Sequence, residues 1–171
     1  MTTLSGGSGN DILNGGSGND TLRDSNNNDT LIGGLGIDTF TGGEGNDTFK
    51  FNSLDEIGGS SYYYYSDYTP QETITDLAVG DIIDLSVISG LSFVGLGNNF
   101  SGAINEVRYS NARLEIDTNG DMFVDYSLLL TNSPALEETA PGSLIFQVPV
   151  NQILDGTAGN DTMVGGNGND I

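Results

Sequence analysis

The 171-residue chain contains no cysteine and no histidine. Without cysteine there are no disulfides to staple a thin core, although this absence leaves the compartment open. Without either residue the chain lacks the thiolate and imidazole ligands that zinc requires. Tryptophan is absent as well, and basic residues are nearly so: only Arg23, Lys50, Arg108 and Arg113 oppose 24 acidic side chains, for a formal charge of −20. So few cations exclude a nucleic-acid partner and disfavour an anionic membrane surface. No apolar run approaches the roughly 20 residues that span a bilayer, so no transmembrane segment is expected. The opening residues Met1–Gly6 show no basic n-region and no apolar h-region, so no signal peptide is expected there. Apolar residues make up only 36% of the chain. Low hydrophobicity combined with like charge marks a chain that does not fold easily unaided, and points to a positive component that the amino acids do not supply.

Glycine, in contrast, is abundant, with 26 residues, and it is phased. The stretch "GGSGNDILN" (6–14) is followed at once by "GGSGNDTLR" (15–23). Asp11, Asp20, Asp29, Asp38 and Asp47 stand nine apart, and each is followed two residues later by an apolar side chain: Leu13, Leu22, Leu31, Phe40 and Phe49. Leu4 fits the same register. Five residues before the aspartate stands Gly6, Gly15, Gly33 or Gly42, whereas the third unit, "DSNNNDTLI", has Asp24 there and no glycine at all. A flexible linker has no reason to hold an aspartate and an apolar residue in phase over five units.

Each unit reads as a six-residue turn followed by a three-residue strand whose middle residue points inward. Glycine and asparagine tolerate left-handed backbone angles, so such a turn can present successive carbonyl oxygens on one side. The aspartate adds charged oxygens. A loop offering several oxygens and nothing softer suits a hard cation, calcium best of all. Stacked turns bring aspartates together, which is repulsive without the ion.

The units resemble the G-G-x-G-x-D-x-U-x nonapeptide of the RTX (hemolysin-type) calcium-binding repeat family. The resemblance implies an all-β chain: a parallel β-roll, a β-rich capping segment, and the start of a second β-roll. In such a roll two nonapeptides make one turn and each calcium sits between a loop and the loop two units later. On this chain the implied pairs are Asp11 with Asp29, Asp20 with Asp38, and Asp29 with Asp47. Carbonyls at the first and third loop positions, Gly6, Ser8, Gly15, Ser17, Gly33, Leu35, Gly42 and Glu44, are implied as further ligands. The register restarts near the end, where "DGTAGNDTMV" and "GGNGNDI" carry Asp161 and Asp170. The chain stops at Ile171 in mid-repeat, and it is expected to be covalently part of a longer protein. The expected organisation is therefore RTX repeats over 1–51, a β domain over 52–150 and a truncated second block over 151–171.

Between the blocks, runs such as "ETITDL", "DIIDLSVI", "INEVRYS", "ARLEID" and "SLIFQVPV" are short, rich in β-branched and aromatic residues, and separated by Gly, Asn and Asp, so they read as strands. This segment is similar to the C-terminal domain of serralysin-type metalloproteases, although the protease's H-E-x-x-H motif cannot occur in a chain without histidine. The resemblance implies that the acids Asp76, Asp81 and Asp84 can hold calcium where roll meets cap. Asp117, Asn119, Asp121 and Asp125 place oxygens at positions 1, 3, 5 and 9 of a loop, but Met122 and Leu128 stand where an EF-hand needs Gly and Glu. That stretch is either a shorter calcium loop or a polar hairpin turn. The tyrosine-rich stretch from Tyr62 to Tyr68 is either an edge strand or insertion loop, or a surface that stacks on sugar rings.

A structural calcium-binding module of a larger secreted bacterial protein, folding on calcium after type I secretion, accounts for most of these features. A carbohydrate-binding accessory module, with extracellular polysaccharide as partner, is the alternative. Catalysis is not expected, because the acids sit in a metal-spaced repeat and form no other catalytic constellation.

Overall fold

The computed structural model of the protein describes residues 1–58, 71–132 and 134–149. Within them the chain is all-β apart from one 3₁₀ turn, Leu54–Glu56. The first six strands follow the repeat: β1 Thr3–Ser5, β2 Ile12–Ser17, β3 Thr21–Arg23, β4 Thr30–Leu35, β5 Thr39–Thr41 and β6 Thr48–Lys50. Odd strands stack in one sheet and even strands in another, all parallel. The pairing offset is 18 residues, so Leu4 lies over Leu22 and Leu22 over Phe40, while Leu13 lies over Leu31 and Leu31 over Phe49. Two nonapeptides thus make one turn of a β-roll.

Alternation decides which side chains meet. In a three-residue strand the outer two point away from the sheet face that the middle one occupies. Leu22, Leu31, Phe40 and Phe49 are fully buried between the sheets. Phe40 meets Phe49 and Phe51 edge-on, with ring centroids 6.1 and 5.7 Å away. Each such side chain contributes roughly 1.5–3 kcal/mol on burial, and with one inward-facing apolar residue per strand the roll is thinly endowed.

The stack does not stop at the last nonapeptide. β7 (Glu72–Ile74) adds to β5, with Ile74 against Phe40, and β8 (Ile82–Asp84) adds to β6, with Ile83 against Phe49. Here the offset is 34 instead of 18, because a longer segment is inserted before β7. β7 and β8 carry no glycine phase, yet they form a further coil in the register of the others.

Both sheets then run on into the cap. β7 pairs with β12 (Tyr126–Leu130), which continues through β11 (Arg113–Asp117) and β10 (Glu106–Ser110) to β9 (Ser92–Leu96), completing an eight-stranded sheet. β8 pairs with β14 (Ile145–Gln147), itself paired with β13 (Glu137–Glu138), completing a six-stranded sheet. One hydrophobic cluster runs from Leu13 through the phenylalanines and Ile74 to Leu128 and Phe146. The cap therefore closes the open end of the roll and shares its core. The tyrosine-rich stretch Tyr62–Tyr68 and the terminal repeat block with Asp161 and Asp170 lie outside the described residues.

Candidate metal centre

The loops between strands stack into two columns. One holds loops 6–11, 24–29, 42–47 and 76–81; the other holds 15–20 and 33–38, with Glu72 against Asp38 at its end. Loop-on-loop contact is so close that a side chain has no room at several positions. A Cβ on Gly45 would come 2.0 Å from the Asn27 carbonyl oxygen, and one on Gly34 would come 2.1 Å from that of Gly16. The third loop lacks glycine but keeps the shape: Asn27, at φ 77°, takes the left-handed place that Gly9 and Gly45 take in the loops above and below. Ser8, Asn26 and Glu44 bridge in register through the same column.

The aspartates form ladders along these columns. The Asp11 N–H donates to Asp29 Oδ1 at 2.8 Å, the Asp29 N–H to Asp47 Oδ1 at 2.9 Å, and the Asp47 N–H to Asp81 Oδ1 at 2.8 Å. In the second column the Asp20 N–H donates to Asp38 Oδ1 at 2.6 Å and the Asp38 N–H to Glu72 Oε2 at 2.9 Å. The structure so brings together each of the pairs Asp11–Asp29, Asp20–Asp38 and Asp29–Asp47. It also adds Glu72, which the sequence did not single out. Glu72 falls out of the nine-residue phase and becomes visible only through the 34-residue offset.

Every rung except Asp47–Asp81 uses one carboxylate oxygen and leaves the other. Asp20, Asp24, Asp29, Asp38 and Asp47 each bury an Oδ2, and Glu72 its Oε1, with no hydrogen-bond partner among the described residues. All six side chains are at most 7% exposed. A buried carboxylate oxygen without a partner is costly, and a charged one more so. The first glycine of each unit explains how the oxygen is accommodated: a Cβ on Gly33 would sit 2.2 Å from Asp38 Oδ2, and one on Gly42 2.3 Å from Asp47 Oδ2. Glycine there keeps open the space beside the unpaired oxygen. Hard oxygens, buried and without a partner among the described residues, fit calcium, which takes six to eight oxygen ligands in flexible geometry.

Burial also shifts the titration. It pushes the Asp47 carboxyl up to about 6, with the charges of Asp81, Asp29 and Asp76 adding to the effect and the Asp29 N–H opposing it. Glu72 is pushed up to about 9, chiefly by burial and further by Asp38. Asp29, Asp38 and Asp81 are raised for the same leading reason. Without a cation these groups hold protons unusually well.

Asp24 is the other residue that the sequence did not single out as a ligand. Its carboxylate reaches back to the first loop, where Oδ1 accepts the Gly7 N–H at 3.2 Å, and a Cβ on Gly6 would lie 2.0 Å from Oδ2. Asp11, Asp24 and Asp29 each offer an oxygen, all within 4.8 Å of one another. The signal was in view, as an acid at the loop position where the other units have glycine.

The remaining candidates differ in kind. Asp76 accepts the N–H groups of Gly42 and Gly43, and Asp81 those of Asp47 and Ala78, so both oxygens of each are engaged by backbone where roll meets cap. Asp84 sits apart on β8, accepting from Ser86 and facing Lys50 at 3.9 Å. Asp117 to Asp125 form the turn between β11 and β12. Asp117 accepts the N–H groups of Asn119, Gly120 and Met122, and Asp125 accepts from Thr118 and Asn119. Asp121 Oδ1 accepts the Phe123 N–H, and the Asn119 side-chain oxygen accepts the Asp121 N–H. The loop binds itself. Leu35 and Glu44 expose their side chains, so only their carbonyls remain as candidates, and that of Leu35 accepts the Gly18 N–H at 2.7 Å.

The chain matches the family of the RTX calcium-binding nonapeptide repeat in four copies, over residues 3–23, 24–53 and 151–171. These are RTX repeats. Repeats of this family bind calcium, and the acidic cluster of Asp11, Asp24 and Asp29 fits that ion. The RTX match covers the two glycine-phased blocks and leaves residues 54–150 outside it. No curated protein matches the chain.

Proposed function

We propose that this calcium-binding structural module is part of a larger secreted protein, and that calcium outside the cell drives its folding after type I export. The observation that supports this most directly is the set of six buried carboxylate oxygens without partners among the described residues, five of them in the two ladders and the sixth on Asp24 beside them. In low calcium those carboxylates and the −20 charge oppose the compact state. In millimolar calcium the ion neutralises them and joins loop to loop. The residues proposed to hold it are Asp11, Asp29 and Asp47 in one column and Asp20, Asp38 and Glu72 in the other, with the loop carbonyls of the first and third positions completing the shell. Extracellular calcium modules bind at roughly 10⁻⁴ to 10⁻³ M. Loops built on carbonyls and shared carboxylates belong in that range, with cooperativity, because filling one site orders the loop its neighbour uses. Asp161 and Asp170 are proposed to serve a second repeat block. The module's role is structural, and a channel can pass the chain because it stays open without the ion.

Circular dichroism with EDTA and with millimolar calcium tests this. Calcium is expected to raise the β signal and the melting temperature, and magnesium to do so poorly, since it demands a tighter octahedron and holds its waters. A β spectrum and melting temperature that ignore calcium would refute the proposal. A glycan array in calcium, with Tyr62 to Tyr68 replaced by serine, addresses the polysaccharide alternative.

A further inference from the structure

The glycine-free third loop looks like a defect in the repeat, but at its first position, where the other nonapeptide loops have glycine, it carries a carboxylate, Asp24. The later loop 76–81 also has an acid there, Asp76, but both oxygens of that acid are taken by the Gly42 and Gly43 N–H groups. We propose that Asp11, Asp24 and Asp29 form a three-carboxylate cation site, the tightest on the described chain, which fills first and favours ions of higher charge.

The geometry differs from the rest of the ladder in one respect. At Gly33 and Gly42 the space beside the glycine belongs to the aspartate of the same loop, Asp38 or Asp47. At Gly6 it belongs to Asp24 of the next loop in the column, whose Oδ2 would be 2.0 Å from a Cβ there. Asp24 therefore takes the place that a loop's own aspartate takes elsewhere, and Asp11, part-exposed, comes in addition. Asp24 Oδ1 is held by the N–H groups of Gly7 at 3.2 Å and Ser25 at 2.8 Å, which aims Oδ2 away from them. That Oδ2 and Asp29 Oδ2 are both buried without a partner among the described residues. Asp24 is 7% exposed and Asp29 1% exposed. One oxygen from each of the three residues lies within 4.8 Å of the others, a spacing at which three like charges repel and a cation relieves the repulsion.

Ligand charge count is what tunes calcium affinity in oxygen sites. The Asp29–Asp47 pair further along the column has glycine, Gly42, at the corresponding loop position, so this site carries an extra negative charge over it. A trivalent ion gains more from that charge than a divalent one. The inference rests on the calcium reading above and concerns the order in which sites fill.

Isothermal calorimetry on the intact chain, with calcium and separately with terbium, tests it. The wild-type chain is expected to show one binding phase at least about tenfold tighter than the rest, equivalent to about 1.4 kcal/mol. Asp24→Asn keeps the shape and removes the charge; Asp24→Gly restores the residue that the other loops carry. Both are expected to bring the tight phase down to the affinity of the others, with the number of ions unchanged and the loss greater for terbium than for calcium. Asp55→Asn, which removes an exposed acid on the 3₁₀ turn, is expected to leave the tight phase in place. Retention of the tight phase in both Asp24 variants, or an equal loss in Asp55→Asn, overturns the proposal while the calcium reading stands. A wild-type chain that takes up no calcium overturns both.

Discussion

Replacing Asp47 by asparagine should change stability with opposite signs in EDTA and in calcium. Asp47 is fully buried, its Oδ1 accepts the Asp29 N–H at 2.9 Å, and its Oδ2 has no partner. Asparagine keeps the Oδ1 acceptor and removes the charge. Burial, with neighbouring acids adding to it, raises this carboxyl from 3.8 to about 6, which corresponds to on the order of 3 kcal/mol against the charged form at neutral pH. The folded-state value lies above the unfolded one. The metal-free fold therefore holds its proton at low pH, and this contribution is lost as pH rises from about 4 through about 6. At pH 7.5 in EDTA the variant escapes that penalty. It buries an amide NH₂ in exchange, at about 1–3 kcal/mol, and the net is a gain of about 0–2 kcal/mol. In calcium the variant loses a ligand charge. At free calcium about 100 times the dissociation constant, a site contributes about 2.7 kcal/mol, which at about 2–4 °C per kcal/mol for a chain of this size is a fall in melting temperature of about 5–11 °C. Scanning calorimetry of both proteins at pH 7.5, in EDTA and in calcium, and again in EDTA at pH 4.5, where the charge penalty falls to about 1 kcal/mol while the amide cost remains and the gain should be lost, gives the comparison. Equal destabilisation by Asp47→Asn in all three conditions would mean that Asp47 is an ordinary hydrogen-bonding residue, and the cation-site argument for the ladder would fall.

Four further outcomes are expected. Glu72→Gln should leave metal-free stability at pH 7 within about 1 kcal/mol, because Glu72, at about 9, is already neutral there; in calcium it should remove one bound ion by calorimetry. Gly33→Ala should place a methyl 2.2 Å from Asp38 Oδ2 and 2.7 Å from the Phe40 ring, costing more than about 1 kcal/mol and weakening calcium binding. Gly7→Ala, where nothing stands within 4 Å, should shift the calcium-loaded melting temperature by less than about 2 °C. Phe40→Ala, in the middle of the shared core, should cost about 3–5 kcal/mol with or without calcium, read by urea denaturation with an unchanged slope.

The nine-residue phase alone determines a great deal. It places the six short strands and names their inward side chains from Leu4 to Phe49, while the resemblance to the RTX repeat implies the 18-residue offset that brings Asp11 to Asp29 and Asp20 to Asp38. These follow from local periodicity, which a chain displays wherever each unit meets the same neighbours. The absence of thiol and imidazole ligands, with oxygen donors in plenty, points to calcium for a reason equally independent of the fold. Other features required the tertiary structure. The coil of β7 and β8 is built without the glycine phase, because after an insertion the register is set by which strands hydrogen-bond and not by spacing along the chain. Glu72 enters the ladder for that reason alone. The role of Asp24 depends on a side chain that crosses to the neighbouring coil, into the space that Gly6 leaves. Asp117, Asn119, Asp121 and Asp125 have the spacing of a calcium loop, and only their conformation shows the oxygens turned onto their own backbone N–H groups. Spacing says which oxygens are near one another, whereas burial and the partners already made decide which of them remain for an ion.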